Sequence, residues 1–228
     1  MGFVPSFSRW TARVVRMRRL VGYLFGPPIV FVTLGVCMIT TITIRRAAPT
    51  DAPEVAAIFS QPGAFSETLQ LPHASESEWE KRLRPRNGHY MLVACALDEE
   101  TDVEVIVGTL GLHTARHVRR RHAAEIGMAV HEDWTGKGIG SALLEEALET
   151  ADAWFGLIRL ELSVFIDNEA AVALYTKHGF EVEGCLQKYA FRDGRYEDVF
   201  TMARIVQPAG FDEEADEEDD AEDDDAEG

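Results

Sequence analysis

The chain has 228 residues, 46% of them hydrophobic, enough for one domain with a substantial core. Its formal net charge is −17, and residues 38–210 alone hold 26 acids against 17 bases, which excludes a nucleic-acid binder held by phosphate contacts. Three scattered cysteines, Cys37, Cys95 and Cys185, lack C-x-x-C spacing, which excludes a disulfide framework and a zinc site and fits a reducing cytoplasm.

Residues 1–39 form an apolar, basic extension. Arg9, Arg13, Arg16, Arg18 and Arg19 precede an uncharged run from Leu20 to Ile44. One reading is a membrane anchor with a positive cytoplasmic flank, which would tether the domain on the cytoplasmic side. Pro27 and Pro28 interrupt the run, however, and the stretch left for a span, Leu20 to Met38, is barely long enough at about 20 residues per crossing. The favoured reading is that the native protein begins at Met38 and the residues before it come from an upstream start. The domain itself is expected over 40–207. The segment 208–228, with thirteen acids and no base from Phe211 onward, buries nothing and is expected to be disordered.

Within the domain, β-branched alternation predicts a strand at 40–46, followed by a helix at about 52–60 capped by Thr50 or Asp51, with Pro53 in its first turn. A short helix follows at "SESEWEKRL", where Ser75 and Glu78 have capping-box spacing. "YMLVACAL" and "EVIVGTLGLHT" read as a hairpin about the acidic turn Asp98 to Asp102, and Arg116 to Arg121 as a basic loop. "AAEIGMAV" is a strand, a helix runs on to about Trp154, "IRLELSVFI" is a strand, and "NEAAVALYTKHG" is a helix closed by Gly179. "FEVEGCLQKYAF" and "YEDVFTMARI" flank the hairpin turn Arg192-Asp193-Gly194. The fold class is therefore mixed α/β, with a mostly antiparallel sheet and one central parallel βαβ unit.

The chemistry concentrates at "TGKGIGSALL", where Gly136, Gly138 and Gly140 alternate and run into a helix. Bare glycines leave backbone N–H groups uncovered, and the helix start adds unpaired donors and the positive dipole end, so the turn reads as a diphosphate cradle. The plain alternative is a tight strand-to-helix connection. A Walker loop fails, because Gly138 follows Lys137 where Ser or Thr is needed. A dinucleotide fingerprint is weak too: the spacing is G-x-G-x-G, and Glu161 sits inside a strand rather than at its end.

With "DNEAAVALYTKHGF" at the right distance downstream, the run resembles the GCN5-related N-acetyltransferases over about residues 40–205. "TLQLPH", "ELSVFIDNEAAVALYTKHGFEVEG" and "KYAFRDGRYEDVFTMAR" are similar to the YhhY-type bacterial amino-acid N-acetyltransferases. That resemblance implies acetyl-CoA as cosubstrate, its diphosphate held by Thr135, Gly136, Lys137, Gly138, Ile139, Gly140 and Ser141. Its pantetheine arm would pair with the main chain of Met128, Ala129 and Val130, with Asn168 and Ala171 contributing from the next helix. Thr135 departs from the family pattern, which has Gln or Arg there.

Acetyl transfer needs a neutral amine and a proton for the departing thiolate. The resemblance makes Tyr175 the general acid, seven residues and two helical turns after Asn168; read without it, Tyr175 is an amphipathic core residue. Some relatives place a glutamate base where this chain has Ser163. Glu125, on the strand entering the glycine turn, is then the candidate base, with Glu161 behind it and a water chain as the alternative. His73, in the loop "ETLQLPHAS", either lines the acceptor pocket or caps the following helix. His113, His117 and His122 lack ligand spacing, so no metal is expected.

The expected function is transfer of acetyl to a primary amine, that of a free amino acid or other small molecule. Protein N-termini, polyamines and a non-catalytic coenzyme A module are the alternatives. No nucleic-acid partner is expected, and a homodimer stands open beside a monomer.

Overall fold

The structure is a computed structural model and describes residues 13–14, 41–98 and 103–206. Among them are a two-residue edge strand, β1 (Arg13–Val14), and seven longer strands. These are β2 (Thr41–Arg46), β3 (His89–Asp98), β4 (Val103–Thr114), β5 (Ala123–Val130), β6 (Arg159–Phe165), β7 (Glu181–Arg192) and β8 (Arg195–Ile205). They form one sheet in the order β1-β2-β3-β4-β5-β6-β8-β7. Every neighbouring pair is antiparallel except β5 and β6, which the helix α4 (Ile139–Thr150) joins. The expected mixed fold with a single parallel βαβ unit is what the chain adopts.

Alternation along the central strands supplies two apolar faces, and helices cover both. On one face Leu92, Leu110, Leu112 and Ile126 pack with Leu143 and Leu144 of α4 and with Tyr175 of α5 (Glu169–Lys177). On the other, Val93, Ile106 and Ala129 pack with Val55, Ile58 and Phe59 of α1 (Ala52–Phe59) and with Trp79 of α3 (Glu76–Leu83). Close approach of α4 to the sheet depends on Gly108, where a Cβ would lie 3.0 Å from Ile139 and from Leu143.

Several local expectations are corrected. Ser75 precedes α3, but its hydroxyl meets Ser77 at 3.0 Å and caps no helical N–H, so the capping box does not form. Asp51 precedes α1 without capping it, because its buried carboxylate accepts from Arg45 at 2.7 and 3.1 Å and from the Ala48 N–H at 2.7 Å. Burial raises the Asp51 pKa, but those three donors outweigh it and hold the carboxyl below its usual range. A further short helix, α2 (Pro62–Ser66), fills what reads in the sequence as loop. Past α4, a wide turn Ala151–Phe155 ends at Gly156 in the left-handed region, φ 57°. The last hairpin turns through Asp193 and Gly194 at φ 50° and 85°, the positive values that a two-residue turn between twisted strands requires.

Among the described residues, no helix is long and apolar enough to cross a membrane. The candidate anchor Leu20 to Met38, the acidic turn at 99–102 and the tail all lie outside the described residues.

Candidate active site

The parallel pair opens almost as soon as it forms. Only Ala123, Ala124 and Glu125 pair with Arg159, Leu160 and Glu161; beyond them β6 stays paired with β8, while β5 continues alone on that side. Ile126 to Val130 and Ser163 to Phe165 become opposite walls of a cavity of about 770 Å³. An unpaired strand edge of this kind presents alternating N–H and C=O groups to an extended, amide-bearing ligand.

The helix α5 closes one side of that gap. Asn168 starts it: its side-chain oxygen accepts from the Ala171 N–H at 3.0 Å, so this residue orients the helix and borders the cavity together with Ala171. Two turns on, Tyr175 is 7% exposed, packs edge-on against Phe180 at 5.8 Å, and lines the cavity. Its hydroxyl has no hydrogen-bond partner among the described residues, and burial pushes its pKa up to about 12. The phenol is therefore protonated at every working pH, with its O–H free for a ligand.

Glu125 and Ser163 face the cavity from opposite walls. Glu161 does not share that freedom, since its carboxylate takes Arg120 at 2.6 and 2.7 Å and Arg159 at 2.5 Å. Burial raises its pKa, but the two guanidiniums outweigh that and hold it below the usual range, so Glu161 is committed to ion pairs. Of the two glutamates on this face, Glu125 is the one that points a carboxylate at the gap.

The glycine loop follows β5; Thr135 at its start borders the cavity, and Gly136 to Ser141 lie outside the lining. Gly136 and Gly138 are exposed and left-handed, at φ 68° and 83°, conformations that glycine adopts without penalty. Gly138 caps α4, whose first bond is Ala142 N–H to Gly138 O at 3.0 Å, so Ile139, Gly140 and Ser141 carry the unpaired donors of the first turn. Gly140 differs from the other two: a Cβ there would lie 3.0 Å from Leu174, so this glycine admits α5. The Lys137 ammonium sits over the Trp134 ring at 4.6 Å. Thr135 borders the cavity, but its hydroxyl donates to the Glu132 carbonyl at 2.8 Å and braces the turn. The two left-handed glycines and the open helix start fit the diphosphate of a nucleotide-bearing cosubstrate.

His73 is not brought into this site. It is exposed, in the left-handed region at φ 62°, lies outside the cavity lining, and makes no cap to α3. The loop around it does contribute, through Glu67 to Gln70. Sequence reasoning missed Arg82, Arg86 and His89, which also line the cavity, and it treated His113 as isolated. His89 and His113 are cross-strand partners with their Nδ1 atoms 2.6 Å apart. Burial, then His89 and Arg86, push the His113 pKa down to about 4.

His113 therefore stays neutral in the native state over a range in which the unfolded chain takes up a proton near 6.5. The unfolded state binds the extra proton there, so stability should fall as pH drops from about 6.5 toward 4. The depressed carboxylates Asp51 and Glu161 contribute to loss only below the ordinary carboxylate range. Urea denaturation at pH 7.5, 6 and 5 checks this, with His113→Gln expected to flatten the decline.

A family model described as the acetyltransferase (GNAT) family matches residues 57–180, more than half of the chain. The chain belongs to this family. It is 41% identical over 164 residues to the L-amino acid N-acetyltransferase AaaT of Escherichia coli (strain K12), a match covering 72% of this chain and 98% of that one. Among solved structures, a GNAT superfamily phosphinothricin acetyltransferase from Sinorhizobium meliloti in complex with acetyl-CoA superposes with a TM-score of 0.64 at 25% identity. That match covers 75% of this chain and 94% of the other. A GNAT acetyltransferase from Streptococcus pneumoniae gives 0.62 at 29% identity, over 73% and 99%. As a GNAT enzyme the chain is an acyltransferase with acetyl-CoA as acetyl donor.

Proposed function

We infer that this GNAT enzyme acetylates the amine of a free amino acid, with Tyr175 and Glu125 as the acid and base of the transfer. The observation that carries this reading is a single cavity with a buried phenol and a free carboxylate at its β5–β6 end. The likeness to an L-amino acid N-acetyltransferase over nearly its full length supports the acceptor class.

Main-chain donors of Gly136 to Ser141 would hold the diphosphate, and the edge of Met128, Ala129 and Val130 would align the pantetheine arm, so that the thioester lies beside Tyr175. Amines are mostly protonated near neutrality, and Glu125 would take that proton as the amine enters. The lone pair then attacks the thioester carbonyl, the C–N bond forms and the C–S bond breaks. Tyr175 donates its hydroxyl hydrogen to the sulfur as negative charge gathers there, and its oxygen takes back the proton that the attacking nitrogen sheds on becoming an amide. Asn168 acts indirectly in this scheme, by fixing the start of the helix that carries Tyr175.

Purified protein with acetyl-CoA and a panel of amino acids, polyamines and peptide N-termini should release free thiol in step with an N-acetyl amino acid seen by mass spectrometry. Thiol release with polyamines or peptides alone would replace the acceptor, and release with no amine at all would remove the reading.

A further inference from the structure

We propose that Arg82, Arg86 and the His89–His113 pair form a subsite for the acceptor's α-carboxylate, so that the cavity reads both ends of a zwitterionic α-amino acid. This rests on the amino-acid reading above and assigns its second half.

Among the described residues, several other arginines are neutralised by carboxylates: Arg45 by Asp51 and Glu104, Arg159 by Glu161 and Glu183, Arg192 by Asp167, Glu67 and Glu197, Arg204 by Asp152. Arg82 and Arg86 line the cavity and have no carboxylate partner among the described residues. Arg82 is nevertheless held in place. One of its nitrogens donates to Gln70 Oε1 at 2.7 Å, and its guanidinium lies 4.9 Å over the Trp79 ring, itself buried and stacked on Phe59 at 4.4 Å. Stacking occupies the faces of the guanidinium and leaves in-plane N–H groups for a carboxylate.

The histidine pair adds a neutral donor. With both rings uncharged, one Nδ1 donates to the other across 2.6 Å. The ring that accepts must then carry its own proton on Nε2, and both rings border the cavity, so the pair presents one N–H to a ligand whichever tautomer it takes.

Spacing matches the ligand. His89, His113 and Glu125 are successive register partners on β3, β4 and β5, so on one face of the sheet His113 lies one strand spacing from Glu125, about 5 Å, and His89 two, roughly 10 Å. An α-amino acid carries its amine and carboxylate on one carbon, so it is short enough to meet Glu125 with one group and the neighbouring histidine pair with the other. The next row on the same face is the cross-strand pair Gly111 and Gly127: Met91 and His113 lean over Gly111, where a Cβ would lie 2.7 and 2.8 Å from them, while at Gly127 a Cβ would meet nothing within 4 Å. The other acids lining the cavity are already engaged: Glu67 with Arg192 at 3.5 Å, and Glu132 with the Gly63 N–H at 2.6 Å. A polyamine would bring its second ammonium toward Arg82 and Arg86, where like charge repels it.

The test compares each amino acid that is acetylated with its amide and with the amine lacking the carboxyl group, by thiol release. Removal of the carboxylate should lower kcat/KM about 100-fold. Arg86→Gln and Arg82→Gln should each raise KM for the amino acid about 10- to 100-fold, leave KM for the amide nearly unchanged, and leave acetyl-CoA binding by calorimetry intact. Both arginines are exposed, and thermal melting of the variants confirms folding. Equal turnover of acid and amide, or an unchanged KM in both variants, overturns the subsite while amino-acid transfer stands. Transfer to polyamines or peptides with none to amino acids overturns both.

Discussion

Replacing Tyr175 with phenylalanine is expected to lower kcat about 100-fold or more while acetyl-CoA binding and thermal stability stay close to those of the parent. The change removes one oxygen that has no hydrogen-bond partner among the described residues, so the packing against Phe180 and the α4 side of the sheet is untouched. What is lost is a donor from a buried phenol facing a developing anion, and deleting such a donor costs on the order of 100- to 1,000-fold in kcat. A phenol pushed up to about 12 is a weaker acid than a thiol near 8.5, so a proton lent to the sulfur does not stay there and returns to the Tyr175 oxygen. The phenol stabilises the departing sulfur through a short-lived donation, and the proton that the amine sheds restores the balance. Rapid-quench or steady-state kinetics at saturating acetyl-CoA measures the change; a rate within a few-fold of the parent would return Tyr175 to a purely packing role. Glu125, exposed and replaceable by water, should give a smaller loss as Glu125→Gln, largest at low pH where protonated amine is most abundant.

The outline of the fold was readable because its signals are periodic. Alternation marks β2 to β8, and the helical spacing before Gly156 and Gly179 marks α4 and α5. Failures occur where a single residue breaks the count. Counted outward from the turn pair Asp98 and Val103, His113 falls opposite Gly88, not His89; a bulge at Ala94 and Cys95 shifts the register by one. A shift of one decides which side chains share a face, so the histidine pair and its subsite were hidden from pattern reading. The segment "PGAFS" is too short for helical periodicity to show, yet it forms α2 and brings Glu67 to the cavity. Ser75 has the right spacing for a capping box, but its hydroxyl has a nearer partner in Ser77. Candidate residues tied to a local motif fared differently from the one tied to a loop. Tyr175, Asn168, Ala171, Thr135, Glu125 and Met128 to Val130 all border one cavity, because strand and helix geometry carries a residue's direction with it. His73 had no such frame, and its left-handed backbone leaves it in solvent.

The three alternating glycines look equivalent in sequence, and substitutions should separate them. Gly138→Val should raise KM for acetyl-CoA by at least about tenfold, the largest binding effect expected in the loop. Its backbone lies at φ 83°, where a β-branched residue is strained by about 1–2 kcal/mol, and relief of that strain rotates the first N–H groups of α4 out of alignment. Gly136→Ala meets no neighbouring atom within 4 Å and should cost only the strain of φ 68°, seen as a small loss of stability with a modest rise in KM. Gly140→Ala acts through a different contact. Its methyl would press on Leu174 at 3.0 Å, and Leu174 adjoins Tyr175 on α5, so the displaced helix should lower kcat more than it weakens acetyl-CoA. Calorimetry of coenzyme A binding beside steady-state kinetics distinguishes the three. Equal losses of affinity at all three positions would mean that each glycine serves the anion directly, and would remove the separate packing role assigned to Gly140.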